Sequence, residues 1–307
     1  MRNYYRIMLG KKSLYAEECF AGNFIGVFGL ADDLSSRLPE EWRIFNKEFI
    51  PVFLAQHPGK SKIAAGLACG FIWTISKGIQ KGDIVLCPNG SGRYRVGEIT
   101  GDYVYMPGAA LPHRRPVNWL SSWIDRAEMS DALRNSTGSV GTVCKITSYH
   151  EELESLCGNQ TVPLLISADE PIEDPSAFAL EQHLEEFLIL NWNQTELAKE
   201  YNIYEEDGER IGQQYATDTG RIDILAISKD KKRLLVIELK KGRASDSVVG
   251  QILRYMGYVQ QELAEDGQTT TGLIIALEDD QRIRRALAMT PNIEFYRYQV
   301  SFKLVKS

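Results

Sequence analysis

The spacing of hydrophobic and polar residues changes character about halfway along the chain. In the first half, short runs rich in aromatic and β-branched residues are bounded by glycine, which favours strands at 4–9, 24–28, 83–87, 94–100 and 103–105. The helical stretches predicted here include 61–76 and 129–134. We therefore predict a mixed, β-dominated domain here, with a small barrel as its architecture.

The second half alternates between helical and strand patterns. Helices are predicted over 177–190, 245–263 and 280–289, and strands over 211–217, 221–227, 233–239, 272–277 and 293–300. In 245–263 the apolar side chains recur at helical spacing and form one stripe: Val248, Ile252, Met256, Val259 and Leu263. This order predicts an α/β domain built around a mixed sheet flanked by helices.

A polar, acidic and proline-containing stretch separates the two patterns. Residues 158–176 include Pro171 and Pro175 and read as a linker. The 307 residues are enough for two domains of roughly 100–200 residues each. We predict domains at 1–157 and 177–307.

Charge is divided unevenly between the two halves. The net charge is −6, but residues 1–157 carry 18 Lys and Arg against 16 Asp and Glu, whereas residues 158–307 carry 17 against 25. An acidic protein has no long-range attraction for nucleic acid, so any DNA contact would depend on local basic clusters.

Composition argues for a folded, intracellular protein. Hydrophobic residues make up 44% of the chain, and the longest apolar run, 63–75, is too short to cross a bilayer. The five cysteines form no CxxC pair, which favours a reducing compartment over a disulfide framework. We expect a cytoplasmic protein without a membrane partner.

The candidate chemistry lies in two neighbouring strands. Glu238 and Lys240 alternate with apolar residues, so they share one face of a strand. The turn-like stretch 228–232 predicts a hairpin that brings Asp223 beside Glu238. Two carboxylates and an ammonium group can hold Mg²⁺ at a phosphate and orient or activate a water molecule. The alternative is a surface ion pair, but apolar flanks on both sides favour a buried site.

These residues carry a family resemblance. The run 220–225 (GRIDIL), followed by an apolar strand that ends in Glu238-Leu239-Lys240, resembles the PD-(D/E)xK nuclease superfamily, above all its NucS-type and Mrr-like domains. The resemblance covers about 178–263 and implies a restriction-endonuclease-like fold with Mg²⁺-dependent cleavage of DNA, Mn²⁺ being able to substitute. Asp223 and Glu238 would be metal ligands and Lys240 a catalytic residue. No proline precedes Asp223, which departs from the motif, although many relatives also lack this proline.

Two helices complete the resemblance. Gln251 and Tyr255, one turn apart, match the QxxxY element of RecB-like members, in which the glutamine lies beside the active site. An acidic residue on the first core helix is also expected. Glu181 and Glu185 both qualify, and the local sequence 184–188 favours Glu185 as a further catalytic residue and metal ligand.

The first half resembles the EVE/PUA-like modules fused to modification-dependent restriction nucleases, over roughly 59–146. Such modules flip a base into an aromatic pocket, at a cost of a few kcal/mol. The candidate DNA-binding residues are Arg93, Arg95, His113, Arg114, Arg115, Tyr103, Tyr105 and Trp119. The alternative for the aromatic residues of this set is that they belong to the hydrophobic core. The alternative for the basic residues is that they lie in a solvated loop.

Together these features predict a DNA endonuclease that restricts foreign DNA carrying a modified base. Its partner would be double-stranded DNA, and a double-strand break would require a homodimer or two recruited copies. A NucS-type mismatch-directed repair endonuclease is the first alternative. A non-catalytic nucleic-acid reader is the second, against which the presence of Asp223, Glu238 and Lys240 argues.

Overall fold

The computed structural model describes residues 2–138, 141–157 and 184–298. The chain divides into two compact units, Met1–Glu170 and Pro171–Ser307. The predicted linker 158–176 lies outside the described residues. Among those residues, no helix is long and apolar enough to cross a membrane.

The first unit is built on one seven-stranded sheet with the order β2-β6-β4-β3-β1-β7, and β5 lies beside β6. Its strands are β1 Tyr4–Ile7, β2 Phe24–Val27, β3 Ile84–Pro88, β4 Arg93–Ile99, β5 Val104–Tyr105, β6 His113–Asp125 and β7 Val143–Lys145. Its helices are α1 Ala16–Gly22, α2 Trp42–Gln56, α3 Lys62–Trp73, α4 Asp131–Gly138 and α5 His150–Leu156. Only β1 and β3 pair in parallel.

Both faces of this sheet are covered. Tyr5 and Ile7 of β1 pack in the same cluster as Phe45 and Phe49 of α2, whereas Tyr4 packs in a second cluster with side chains of β4 and α4. Successive side chains of a strand point to opposite faces. β3 shows the result, because Val85 and Cys87 lie in the first cluster and Ile84 and Leu86 in the second, so this strand is apolar on both faces.

The second unit contains a six-stranded mixed sheet of order β13-β12-β11-β10-β8, with β9 beside β10. Its strands are β8 Tyr201–Ile203, β9 Gln213–Thr217, β10 Gly220–Ser228, β11 Arg233–Arg243, β12 Thr269–Glu278 and β13 Ile293–Arg297. Its helices are α6 at 184–190, α7 Ser247–Tyr258 and α8 Gln281–Leu287.

The order of connections follows from the sequence. β10 and β11 are antiparallel and joined by a tight turn, in which Asp230 accepts hydrogen bonds from the Ser228 hydroxyl (2.5 Å) and the Lys232 amide (3.1 Å). β12 lies parallel to β11, so the chain must cross over between them, and α7 makes this crossover. Val248, Ile252 and Met256 of its predicted stripe are buried.

The predicted α/β class is confirmed for the chain. The helices and strands predicted in the second unit agree with the structure to within a few residues, but β8 was not predicted. Only 184–190 of the predicted helix 177–190 lies within the described residues. Two long elements of the first unit were missed: α2, which carries Pro51 within it, and β6, which opens on the polar residues His113, Arg114 and Arg115. Both depart from simple periodicity, because proline disfavours a helix interior and charged residues are unusual in a central strand.

Candidate active site

The site begins where β10 and β11 run side by side. Ile224 lies opposite Ile237, so the next residues outward in this register are Asp223 and Glu238. Asp223 Oδ2 accepts a hydrogen bond of 2.8 Å from the amide of Leu239. The Asp223 carboxylate is therefore fixed by the backbone of the strand that carries Glu238 and Lys240.

Glu238 and Lys240 project from the same face of β11. The Glu238 side chain is only 3% exposed, and its Oε1 lies 3.3 Å from Nζ of Lys240. Leu239, between them, is in the apolar cluster on the other face of the sheet. A buried carboxylate loses hydration energy, which the neighbouring ammonium partly offsets. This arrangement differs from a solvated surface pair and is of the kind found at functional sites.

Glu185, on α6, is the third carboxylate of the site. It is buried and accepts hydrogen bonds from the side-chain amides of Gln213 (2.8 Å) and Gln214. Gln214 Nε2 also lies 3.3 Å from Asp223 Oδ1, so one amide links the two acids. Burial, reinforced by the negative charge of Asp223, raises the pKa of Glu185 to about 7.

Gln213 and Gln214 are site residues that the sequence analysis did not identify. Consecutive strand residues normally point to opposite faces, yet both amides reach Glu185. The reason is the backbone of Gln214, whose φ of 50° is left-handed. Such a conformation in a residue other than glycine costs roughly 1–3 kcal/mol and tends to occur at functional sites.

Helix α7 covers the site from another side. Gln251 Nε2 donates a hydrogen bond of 3.4 Å to the Tyr255 hydroxyl. Tyr255 is buried, and burial raises its pKa, with smaller contributions in the same direction from the negative charges of Glu238 and Asp223. The Tyr255 hydroxyl therefore lies close enough to Glu238 and Asp223 for their negative charges to contribute to its raised pKa.

Gly220, at the start of β10, makes room for this helix. Its φ is 147°, and a Cβ at this position would lie 2.5 Å from the Tyr255 hydroxyl oxygen. Alanine would therefore clash with Tyr255 and strain the backbone.

We expect Gly220→Ala to lower the unfolding free energy of the second unit by about 1–3 kcal/mol and to reduce any activity of the site. The measurement is urea unfolding followed by circular dichroism. Gly242→Ala is the matched control, because nothing lies within 4 Å of its Cβ position and its φ is not in the left-handed range. Equal stability of the two variants would contradict the role given to Gly220.

The acidic side chains of the site determine which metal ion it could hold. Within 2–138, 141–157 and 184–298, no three or more His, Cys, Asp or Glu side chains are grouped so as to hold a metal ion. The three predicted ligands, Asp223, Glu238 and Glu185, therefore do not form such a group. Mg²⁺, however, is bound through one or two carboxylates together with water and substrate phosphates. Asp223 and Glu238 fit this smaller requirement.

The basic residues predicted to contact DNA separate into two groups in the first unit. His113 is fully buried and bonds through its two ring nitrogens to the Leu30 carbonyl and the Tyr103 hydroxyl, each at 2.9 Å. Arg115 is 4% exposed and donates to the carbonyls of Gly101 and Ser76. Neither side chain lies on the surface of the unit, where a DNA backbone would make contact.

Arg93, Arg95 and Arg114 are more accessible. Arg93 and Arg95 both stack on Trp123, at 5.1 and 5.7 Å from its ring centroid, and Arg95 also lies 5.1 Å from Phe20 and 5.5 Å from Trp119. Among the described residues neither forms an ion pair. Trp123 and Phe20 were missed, although Trp123 shares a strand face with Trp119 by its even spacing. We call Phe20, Arg93, Arg95, Trp119 and Trp123 the arginine–aromatic patch.

The remaining predicted residues are bonded locally. Arg114 lies over the Phe24 ring at 3.7 Å and 3.4 Å from Glu18, and the Tyr105 hydroxyl donates to the Ala31 carbonyl at 2.5 Å.

A hairpin bearing two acids and a lysine, followed by a crossover helix and two parallel strands, defines the second unit as a restriction-endonuclease-like domain. Residues 181–301 match the family model of the endonuclease NucS C-terminal domain. The predicted NucS-type resemblance is thereby confirmed. Residues 5–147 match a model described as a domain of unknown function, DUF8426. The EVE/PUA-like resemblance stays a prediction.

Solved structures give weaker similarities, and no curated protein matches. The chain is 14% identical to EndoMS bound to double-stranded DNA (TM-score 0.32), with 68% of this chain and 62% of EndoMS covered. A repair endonuclease from Pyrococcus abyssi is 14% identical (TM-score 0.31; 69% and 66% covered). The MspJI restriction endonuclease in complex with a 27-mer oligonucleotide is 10% identical (TM-score 0.23; 90% and 67% covered). The chain therefore spans less than two thirds of EndoMS.

Proposed function

We propose that this protein is a metal-dependent DNA endonuclease whose second unit hydrolyses phosphodiester bonds. The observation that carries the proposal is the fixed group on the β10–β11 hairpin. Asp223 is bonded to the amide of Leu239, and Glu238 and Lys240 flank that residue on the opposite face, 3.3 Å apart. Two carboxylates and an ammonium group on one sheet face can hold a divalent metal ion at a phosphate and activate a water molecule.

In this proposal Asp223 and Glu238 hold the metal, with Glu185 as the third acid. When bound, a divalent ion supplies positive charge at the phosphate and lowers the pKa of water. Lys240 is 19% exposed at its side chain, so it reaches solvent and can donate a hydrogen bond to the attacking water or to a phosphate oxygen. Gln251 orients the Tyr255 hydroxyl at the edge of the site.

The first unit would select the DNA. We propose that it recognises a modified base and that the enzyme restricts foreign DNA, with the arginine–aromatic patch contacting the backbone. Arginine stacked on tryptophan keeps its donors available for phosphate while the ring covers its apolar face. Because one site cuts one strand, a double-strand break would need a homodimer or two recruited copies.

A mismatch-directed repair endonuclease is the second candidate function. It is favoured by the match of residues 181–301 to the NucS C-terminal domain. The two candidates share the same chemistry and differ in the base that triggers cleavage.

Cleavage of matched DNA substrates tests the proposal. Plasmids that are unmodified, 5-methylcytosine-containing or hydroxymethylated, and mismatch-containing duplexes, are incubated with Mg²⁺ or Mn²⁺ and resolved on gels. We expect cutting confined to modified DNA and lost on chelation. Cleavage of mismatched duplexes alone would favour the repair function over the restriction of foreign DNA. The absence of any cutting would overturn the nuclease proposal in favour of a reader without chemistry.

The arginine–aromatic patch makes a separate prediction. Arg95→Ala should weaken DNA binding for all sequences alike and reduce the slope of log K against log salt by about 1, because one phosphate contact is lost. Fluorescence anisotropy over a salt series in EDTA measures this. Arg37→Ala is the control, since Arg37 also lies over an aromatic ring but is paired with Glu48 at 2.6 Å. An unchanged salt slope in Arg95→Ala would exclude this patch as a backbone contact.

A further inference from the structure

A polar cavity of about 300 Å³ lies in the first unit, remote in sequence from the nuclease residues. Its lining includes Tyr103, Arg115 and Asp102 together with Ser76 and Lys77, from the turn that follows α3. The volume is at the lower end of the range for small-molecule sites. Neither the DNA contacts nor the cleavage chemistry proposed above uses this cavity.

Arg115 is the unusual residue of the lining. It is 4% exposed, and its Nε and Nη1 donate to two neutral acceptors, the Gly101 carbonyl (3.0 Å) and the Ser76 carbonyl (3.4 Å). In the described part of the chain, no carboxylate lies within ion-pair distance of it. Burial lowers its pKa, which reflects the cost of removing a guanidinium from water.

The acidic groups nearest to Arg115 are already engaged. Asp102 is paired with Lys81 at 2.8 Å, and Asp83 accepts hydrogen bonds from the amides of Asn3 (2.8 Å) and Gln80 (2.9 Å). Both act on Arg115 only at longer range. Lys77, at the cavity, is paired with the exposed Glu40 at 2.5 Å. Arg115 is therefore the one charge of the lining that no described ion pair neutralises.

Ser76 gives a second, independent indication of a ligand. The residue is 3% exposed, and its hydroxyl is buried without a hydrogen-bond partner among the described residues. Folded proteins leave few buried hydroxyl groups without a hydrogen-bond partner, and a bound molecule is one of the explanations for such a group. Arg115, whose charge no described ion pair neutralises, and Ser76, whose hydroxyl has no described partner, thus line the same cavity.

We propose that this cavity binds a phosphate oxyanion, with Arg115 as its counter-charge and the Ser76 hydroxyl as a donor. Guanidinium groups match the geometry of phosphate oxygens and form strong, charge-assisted hydrogen bonds to them. Tyr103 supplies a flat wall, and its hydroxyl is held by the hydrogen bond to His113. The phosphate belongs either to a free nucleotide or to a DNA terminus. The site does not depend on the nuclease activity.

Binding of defined probes to the full chain tests the site. Isothermal titration calorimetry is performed in EDTA at fixed ionic strength, on the Lys240→Ala background so that the nuclease site contributes little. The probes are inorganic phosphate, deoxynucleoside 5′-monophosphates, the corresponding nucleosides, and one short oligonucleotide with a 5′-phosphate or a 5′-hydroxyl. The variants are Arg115→Lys, Ser76→Ala and, as control, Arg37→Ala.

We expect the monophosphates to bind and the nucleosides to bind at least tenfold more weakly, because a charge-assisted contact is worth about 1.5–3 kcal/mol, or a factor of about 10–150. Ser76→Ala should weaken binding about five- to tenfold, and it leaves folding intact because its hydroxyl has no described partner. Arg37→Ala should have no effect. Preference for the 5′-phosphorylated oligonucleotide would assign the phosphate to a DNA terminus, and binding of monophosphates alone would assign it to a nucleotide.

Three results would overturn the proposal. The first is the absence of binding by every phosphate-bearing probe at millimolar concentration. The second is equal affinity for a nucleoside and its monophosphate, which would indicate a neutral planar ligand. The third is unchanged affinity in both Ser76→Ala and Arg115→Lys, which would locate the phosphate elsewhere on the chain.

Discussion

Lys240→Ala is expected to slow DNA cleavage by a factor of about 10²–10⁴, the range for loss of a group that activates or positions the nucleophile. The lysine is held 3.3 Å from the buried Glu238 and reaches solvent, so its removal takes away the ammonium that we propose activates the water or contacts the phosphate. Single-turnover cleavage with enzyme in excess measures the chemical step directly. DNA affinity should change little, because binding depends mainly on other contacts.

Lys229→Ala is the matched control for this experiment. Lys229 is exposed in the turn of the same hairpin and touches neither acid of the site. Glu238→Gln tests the acid beside the lysine, and it should lose cleavage to a similar extent while the far-ultraviolet circular dichroism spectrum stays unchanged. Wild-type rates in both Lys240→Ala and Glu238→Gln would show that cleavage occurs at another site.

The metal-free protein should lose stability as the pH rises from about 4.5 to 7. The pKa of Glu185 is about 7 in the folded protein, above the ordinary value of 4.5. The proton bound in the folded state therefore stabilises the fold fully below pH 4.5, and this contribution disappears as the pH rises through 7. The shift corresponds to about 3 kcal/mol at most. Urea unfolding of the second unit in EDTA across this range measures it.

Glu185→Gln should flatten this pH dependence, because glutamine does not titrate. At pH 8 the variant should be more stable than the wild type in EDTA and yet inactive in cleavage. Glu186→Gln is the control, since Glu186 is exposed on the same helix. If stability of the wild type does not fall between pH 4.5 and 7, or if Glu186→Gln flattens the curve equally, Glu185 is not the group responsible.

The hairpin acids could be located from sequence because they depend on two simple regularities. Strand alternation placed Glu238 and Lys240 on one face, and the short turn set the register that brings Asp223 opposite Glu238. The contributions of Gln213 and Gln214 could not be predicted in this way. Their contact with one carboxylate requires a left-handed residue within a strand, and no glycine or asparagine marks the position.

The basic residues of the first unit show a second reason why prediction from sequence falls short. Arginine and histidine are usually solvated, so the run 113–115 predicted accessible residues that contact DNA phosphates, with a solvated loop as the alternative. In β6, His113 and Arg115 share the face of the buried Val117, whereas Arg114 points the other way and is partly exposed. Had the strand been recognised, alternation would have separated these residues into inward and outward groups. The polar residues at the start of β6 are the reason why this strand was not predicted.

The hydrogen bond from the Leu239 amide to Asp223 has a consequence for how this domain can vary. The donor is a main-chain group, so only proline at position 239 would delete it. The side chain of Leu239 packs in the core, and its neighbours there determine which side chains fit at this position. Other apolar residues can therefore replace Leu239 during evolution without altering the spacing of the acids. Substitutions in the core at this position leave the arrangement of Asp223 and Glu238 unchanged.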